Sequence, residues 1–158
     1  MAAVNRDKTK IVCDNRKARH EFHFLETYEA GIELRGTEVK SLRAGKANLQ
    51  DSFARIENGQ ILIHNMHISP YEMGNRFNHE PKRPRRLLMH KQEIMRLYAK
   101  VREKGLTLIP TKVYFRGSLV KVEIALSQGK KLYDKRQDLV EKAVRRDTER
   151  TMKERGRE

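Results

Sequence analysis

The stretch FARIENGQILIH, residues 53–64, decides the fold. Two apolar-rich runs, Phe53 to Ile56 and Ile61 to His64, flank Glu57-Asn58-Gly59-Gln60. An Asn-Gly pair between such runs favours a two-residue primed turn, because both central residues must reach positive φ. The stretch therefore reads as an antiparallel hairpin.

The text on either side extends a sheet. Upstream, the chain becomes β-like from Lys10, and His20-Glu21-Phe22-His23-Phe24 alternates polar and apolar, the period of a half-buried strand. Ala30-Gly31 interrupts that run, Ile32 and Leu34 continue one face, and the glycine suggests a bulge or bend. Thr37 to Gly45 reads as a short helix with Thr37 as cap and Gly45 as stop. Downstream, Leu87, Leu88, Ile94, Leu97, Tyr98 and Val101 fall near a 3.6 period, and Lys104-Gly105 ends the helix they predict. Two further strands, 106–116 and 119–127, are joined by Arg116-Gly117-Ser118. In the second, Val120, Val122, Ile124 and Leu126 share one face, while Lys121, Glu123 and Ala125 share the other. Residues 69–86 fit no element; they hold three of the four prolines and end in Lys82, Arg83, Arg85 and Arg86. Strands outnumber helices and no βαβ alternation is present. The expected fold is mainly β: a closed antiparallel barrel of the OB-fold type, plugged by two or three helices.

The 158 residues are organised as a flexible N-terminus (1–9), a barrel domain (10–128) and a basic tail (129–158). Lys and Arg number 35 against 21 Asp and Glu, a net charge of +14 that calls for a polyanionic partner. No apolar run approaches the roughly 20 residues that span a bilayer. The N-terminus has no continuous apolar stretch of signal-peptide length, so the chain is expected to be cytoplasmic. Cys13 is the single cysteine and reads as a half-buried strand residue. No cofactor or metal site is legible: His64 and His67 would lie on opposite faces of a strand, and SQGKKL at 127–132 lacks the Walker spacing. No constellation reads as catalytic, Asp51-Ser52 included. Three basic clusters can neutralise phosphates: Asn15 to His20, Lys82 to Arg86, and Lys130-Lys131 with Lys135-Arg136. Near them, His20, Phe22, Tyr71 and Tyr133 are rings able to stack on bases, although Phe22 reads as core.

The tail holds eleven basic and seven acidic groups over 129–158 but few apolar ones. Asp138→Lys142, Glu141→Arg145 and Glu149→Lys153 are acid-first i,i+4 pairs that favour a helix. From Asp134 to Arg155 such a helix spans about 33 Å. Its apolar stripe is too narrow to dock firmly, so the tail is expected to be disordered until bound and helical on a partner.

The strings NRKARHEF (15–22), YEAGIEL (28–34), GTEVKSLRAGKANLQDSF (36–53), HISPYEMGN (67–75), RPRRLLMHKQEI (83–94) and GKKLYDKR (129–136) resemble the SsrA-binding protein family, also called small protein B. The resemblance covers nearly the whole chain. It implies an OB-fold, non-enzymatic RNA-binding adaptor of trans-translation. Such proteins bind the tRNA-like domain of transfer-messenger RNA. With elongation factor Tu they bring it to stalled ribosomes. Their tails are unstructured in solution and become helical in the small-subunit decoding centre, against 16S rRNA, and the empty mRNA channel. By motif match, the RNA-contact positions are Glu29, Leu88, His90 and Lys121, with Arg19 and His20 in the KARH string. The ribosome-engaging tail positions are Lys130, Lys131, Tyr133, Asp134, Lys135 and Arg136. His90 also stands where it could cap the following helix. A monomer is expected. The alternative is a general rRNA-binding barrel protein associated with the ribosome.

Overall fold

The computed structural model describes residues 9–71, 79–130 and 132–156, with side chains left aside at 132–134. The fold is mainly β with four helices. In chain order it runs β1 (Thr9–Asp14), α1 (Arg16–Glu21), β2 (Phe22–Ile32), α2 (Gly36–Arg43), β3 (Ala47–Asn48), β4 (Phe53–Glu57), β5 (Gln60–His64), β6 (His67–Ile68), β7 (Arg85–Leu88), α3 (Lys91–Lys104), β8 (Thr107–Arg116), β9 (Leu119–Gly129) and α4 (Leu132–Arg155).

The hairpin forms as its chemistry predicts. Glu57 pairs with Gln60 across Asn58 (φ 50°) and Gly59 (φ 74°). From it the pairing runs β8-β4-β5-β7-β2-β9 and returns through a β8–β9 ladder, so six antiparallel strands make a circuit. β1 adds to the far side of β8, and β3 pairs with β6 separately. The interior is apolar. Ile61, Ile63, Leu87, Val113, Val122 and Ile124 meet there, joined by Leu42 from α2 and Ile94 and Leu97 from α3. Each of those side chains is worth roughly 1.5–3 kcal/mol when buried, which is what holds the helices on the sheet.

Several local expectations are corrected. Residues 16–21 form α1 rather than the start of a strand. The buried Asn15 explains this: its Oδ1 accepts from the Ala18 amide (3.2 Å), while its Nδ2 donates to the Pro110 carbonyl (2.9 Å). The bulge in β2 lies between Phe24 and Glu26, and Gly31 is a regular strand residue. Arg35, not Thr37, sits at the N-cap of α2; its amide donates to the Glu38 carboxylate (2.9 Å). Gly45 stops that helix with φ 71°. Arg85 to Leu88, read as loop end and helix start, is strand β7, inserted between β5 and β2. Ala125 is outward by alternation yet fully buried. Cys13 is half-buried on β1, and burial pushes its thiol up to about 11. Residues 1–8 of the N-terminus and 72–78 of the loop lie outside the described residues.

A candidate RNA interface in two parts

The outward face of five strands carries one continuous row. Gly31 on β2 pairs with Leu88 on β7 and with Lys121 on β9. Lys121 pairs with Tyr114 on β8, and Tyr114 with Ile11 on β1. Directly paired residues share a face, so Leu88, Lys121, Tyr114 and Ile11 are neighbours on the outside. Gly31 contributes no side chain, and a Cβ there would meet the Leu88 Cβ at 3.2 Å. Leu88 is 49% exposed, and Ile11 and Leu119 are more so. Apolar side chains this open, set among Lys112, Arg116 and Lys121, make a surface that offers both apolar contact area and charge.

Glu29 lies one row along, opposite Glu123. Its side chain crosses β9 and accepts from the Tyr114 hydroxyl at one oxygen and from Arg116 (3.0 Å) at the other. Burial, and then the bond to Glu29, push the Tyr114 phenol far above its usual value, so it remains a donor. These groups line a depression of about 360 Å³ with Thr27, Lys112 and Glu123. Lys112 stacks over the Tyr114 ring at 5.7 Å. His90 is two residues beyond Leu88, exposed, at the N-cap of α3; its backbone is extended (ψ 141°) and its side chain makes no capping bond.

A second group gathers at the opposite end of β2, roughly 30 Å away over nine residues. There Arg19 pairs with Asp14 (3.0 Å), and His20 is the next residue of α1. Lys130 ties the tail to this helix: its amide donates to the Glu21 carbonyl (2.8 Å) and its Nζ to the Arg19 carbonyl (3.3 Å). The same ammonium bonds Asp138, whose carboxyl that bond holds below its usual range. Lys135 and Arg136 lie on the first turns of α4. Lys131, and the side chains of Tyr133 and Asp134, lie outside the described residues. Glu29, Leu88, His90 and Lys121 are thus brought to one end of the sheet. Arg19, His20 and, of the tail positions, Lys130, Lys135 and Arg136 are brought to the other.

Two of the four basic residues at 82–86 are engaged by one buried carboxylate inside the fold. Arg85 is fully buried, donating to the Glu38 carboxylate, the Met66 carbonyl (2.7 Å) and the Pro81 carbonyl (3.0 Å). Arg83 Nε donates to the same carboxylate (3.1 Å). Burial alone would raise the Glu38 carboxyl; bonds from Arg83, the Arg35 amide and Arg85 outweigh it and hold the group below the usual range. Lys82 and Arg86 remain exposed. Sequence reasoning missed Tyr114 and Arg116, although Lys112, Tyr114 and Arg116 at every second position of a strand mark one outward face. The histidine pair falls on separate strands, His64 on β5 and His67 on β6. Among the described residues no three His, Cys, Asp or Glu side chains gather as a metal site, and no helix is long and apolar enough to cross a membrane.

Comparison with known proteins identifies the family. The family model described as "SmpB protein" matches residues 12–154. The chain is 68% identical over 148 residues to the SsrA-binding protein of Pelotomaculum thermopropionicum, covering 94% of this chain and 97% of that protein. It is 58% identical over 155 residues to the SsrA-binding protein of Staphylococcus carnosus, covering 98% and 99%. A chain of the solved structure "tmRNA-SmpB: a journey to the center of the bacterial ribosome" superposes with TM-score 0.63 at 54% identity, over 85% of this chain and 94% of that one.

Proposed function

The chain belongs to the SmpB protein family, and from that premise we propose that it is the RNA-binding adaptor of trans-translation. It binds the tRNA-like domain of transfer-messenger RNA and delivers it, with elongation factor Tu, to stalled ribosomes in the cytoplasm. It performs no catalysis of its own and needs no cofactor. The body acts as an OB-fold barrel, a reading supported by the circuit of six paired strands. RNA lies on the end of the sheet that carries Glu29, Leu88, His90 and Lys121. One observation carries this: the three-strand row Leu88–Gly31–Lys121, in which an open apolar side chain and a lysine flank a glycine. Arg19 and His20, at the root of the tail, also contact the transfer-messenger RNA, and the tail from Lys130 onward is the part that meets the decoding centre and the empty mRNA channel. It is disordered in the free protein and helical on the ribosome, where the surface it lacks is supplied by 16S rRNA.

The test is binding at one fixed salt concentration to the tRNA-like domain, with alanine tRNA and a random duplex as competitors. A preference of about a hundredfold, near 3 kcal/mol, is expected for the first. Equal binding to all three with a common steep salt dependence would replace the adaptor by a general rRNA-binding protein.

A further inference from the structure

We propose that Arg116 is an RNA-contacting residue of the outer face and that Glu29 serves it as a positioning residue, aiming the guanidinium rather than touching RNA itself. The inference rests on the adaptor reading and deepens it. A bare carboxylate on an RNA-binding face repels phosphate. Glu29 is not bare: one oxygen takes the Tyr114 hydroxyl and the other takes Arg116 at 3.0 Å. Both carboxylate oxygens are therefore engaged by protein donors before any RNA arrives. A guanidinium offers five N–H donors in a planar fork, and one nitrogen bonded to Glu29 leaves donors on the other two.

Arg116 ends β8 opposite Leu119 and Thr9, with its side chain 48% exposed. It stands on the same outward face as Lys121 and beside the open side chains of Leu119 and Ile11. A long arginine at a strand end has many rotamers, and binding through it costs ordering entropy unless something holds it. Glu29 supplies that hold from across β9, and the buried Tyr114 ring fixes the carboxylate in turn. The chemistry this set recognises is a phosphate of the RNA backbone, taken by the fork.

The experiment measures affinity for the isolated tRNA-like domain across a salt series for wild type, Arg116→Ala, Arg116→Lys, Glu29→Gln and the double variant Glu29→Gln/Arg116→Ala. Arg116→Ala is expected to weaken binding at least about tenfold and to flatten the slope of log K against log salt by about 0.7–0.9, one phosphate contact. Arg116→Lys keeps the slope but loses part of the affinity. Glu29→Gln weakens binding in the wild-type background and has no further effect once Arg116 is gone. Urea midpoints of all variants separate folding from binding. Unchanged affinity and slope in Arg116→Ala would overturn the proposal. So would a Glu29→Gln loss of equal size with and without Arg116, because Glu29 would then contact RNA directly. A random duplex run in parallel keeps the two readings apart. Absence of preference for the tRNA-like domain sinks the adaptor, while the coupling between Glu29 and Arg116 is read on whichever RNA binds.

Discussion

The outer face of the sheet and the tail helix are both basic surfaces, but they are built by opposite means. On the sheet, Leu88, Gly31, Lys121 and Tyr114 are paired across neighbouring strands and owe their order to register. Along α4, Leu139, Val140, Val144 and Met152 are all more than half exposed, and 139–156 is solvent-facing throughout. A row held by a sheet is preorganised and can test the shape of an RNA. A lone helix with one anchor spends its binding energy on ordering itself and adapts to what surrounds it. The proposed division of labour, shape reading by the sheet and channel probing by the tail, rests on that physical difference.

The largest effect expected is on the tail's side. Ending the chain after Gly129 removes α4 and its root lysine while leaving every strand pairing in place. Binding to the tRNA-like domain should change by less than about threefold, and tagging on stalled ribosomes should disappear. A loss of RNA affinity of tenfold or more, about 1.4 kcal/mol, would show that the two regions share one RNA site and would dissolve the comparison.

The next largest is on the body's side, at Glu38. Its carboxylate, fully buried, pairs with both Arg83 and Arg85, and Arg85 is as deeply enclosed. Replacing Glu38 by Gln leaves a buried guanidinium without its counter-charge, and a loss of roughly 3–5 kcal/mol in urea unfolding is expected. The folded-state carboxyl is depressed. Its contribution is therefore complete above the unfolded value near 4.3 and is lost as pH falls through the folded value. Wild type should lose stability below about pH 4, and Glu38→Gln should show a flatter acid limb. Because β7 carries Leu88 and is pinned by Arg85, RNA affinity should fall with it, whereas the isolated tail should be indifferent.

What was legible in the sequence divides along the same line. The hairpin at 53–64 was readable because a primed turn is set by two adjacent residues. The outward position of Lys121 followed from simple alternation. β7 was not readable, because its first residue, Arg85, is buried only by virtue of Glu38, 47 positions earlier, and no local pattern announces such a partner. α1 was hidden likewise: the cap that starts it is braced by a carbonyl 95 positions away. For the site, the motif strings pointed to Glu29, Leu88, His90 and Lys121, but the hydrogen bonds that give Glu29 its partners on β8 exist only once β2 and β8 flank β9. The helicity of the tail was readable from its i,i+4 charges, since that signal is entirely local.

A smaller effect sharpens the account of the row itself. Gly31→Ala places a methyl 3.2 Å from the Leu88 Cβ, in the slot between Leu88 and Lys121. Overpacking there is offset by the entropy that alanine removes from the unfolded chain, so stability should move by less than about 1 kcal/mol. RNA affinity should fall roughly threefold to tenfold if the slot admits part of the RNA. Wild-type affinity with unchanged stability would mean that the row is touched only at its two ends.

The smallest effect is at the junction of the two regions. Asp138 bonds Lys130, and Lys130 donates to the Glu21 and Arg19 carbonyls, so the first turns of α4 are indexed to α1. Beyond Asp138 the helix is exposed along its length. In the free protein, amides from 139 onward should exchange near the rate of an unstructured chain, with modest slowing confined to residues around 130–138. Asp138→Asn should erase that slowing and leave both RNA affinity and the urea midpoint of the body unchanged. Acid should mimic it, because the depressed carboxyl contributes only above its folded value. Strong protection along 139–155 without a ribosome would mean that the tail is a preformed rod. The contrast between an ordered face and an adaptive tail would then give way to two rigid surfaces joined at α1.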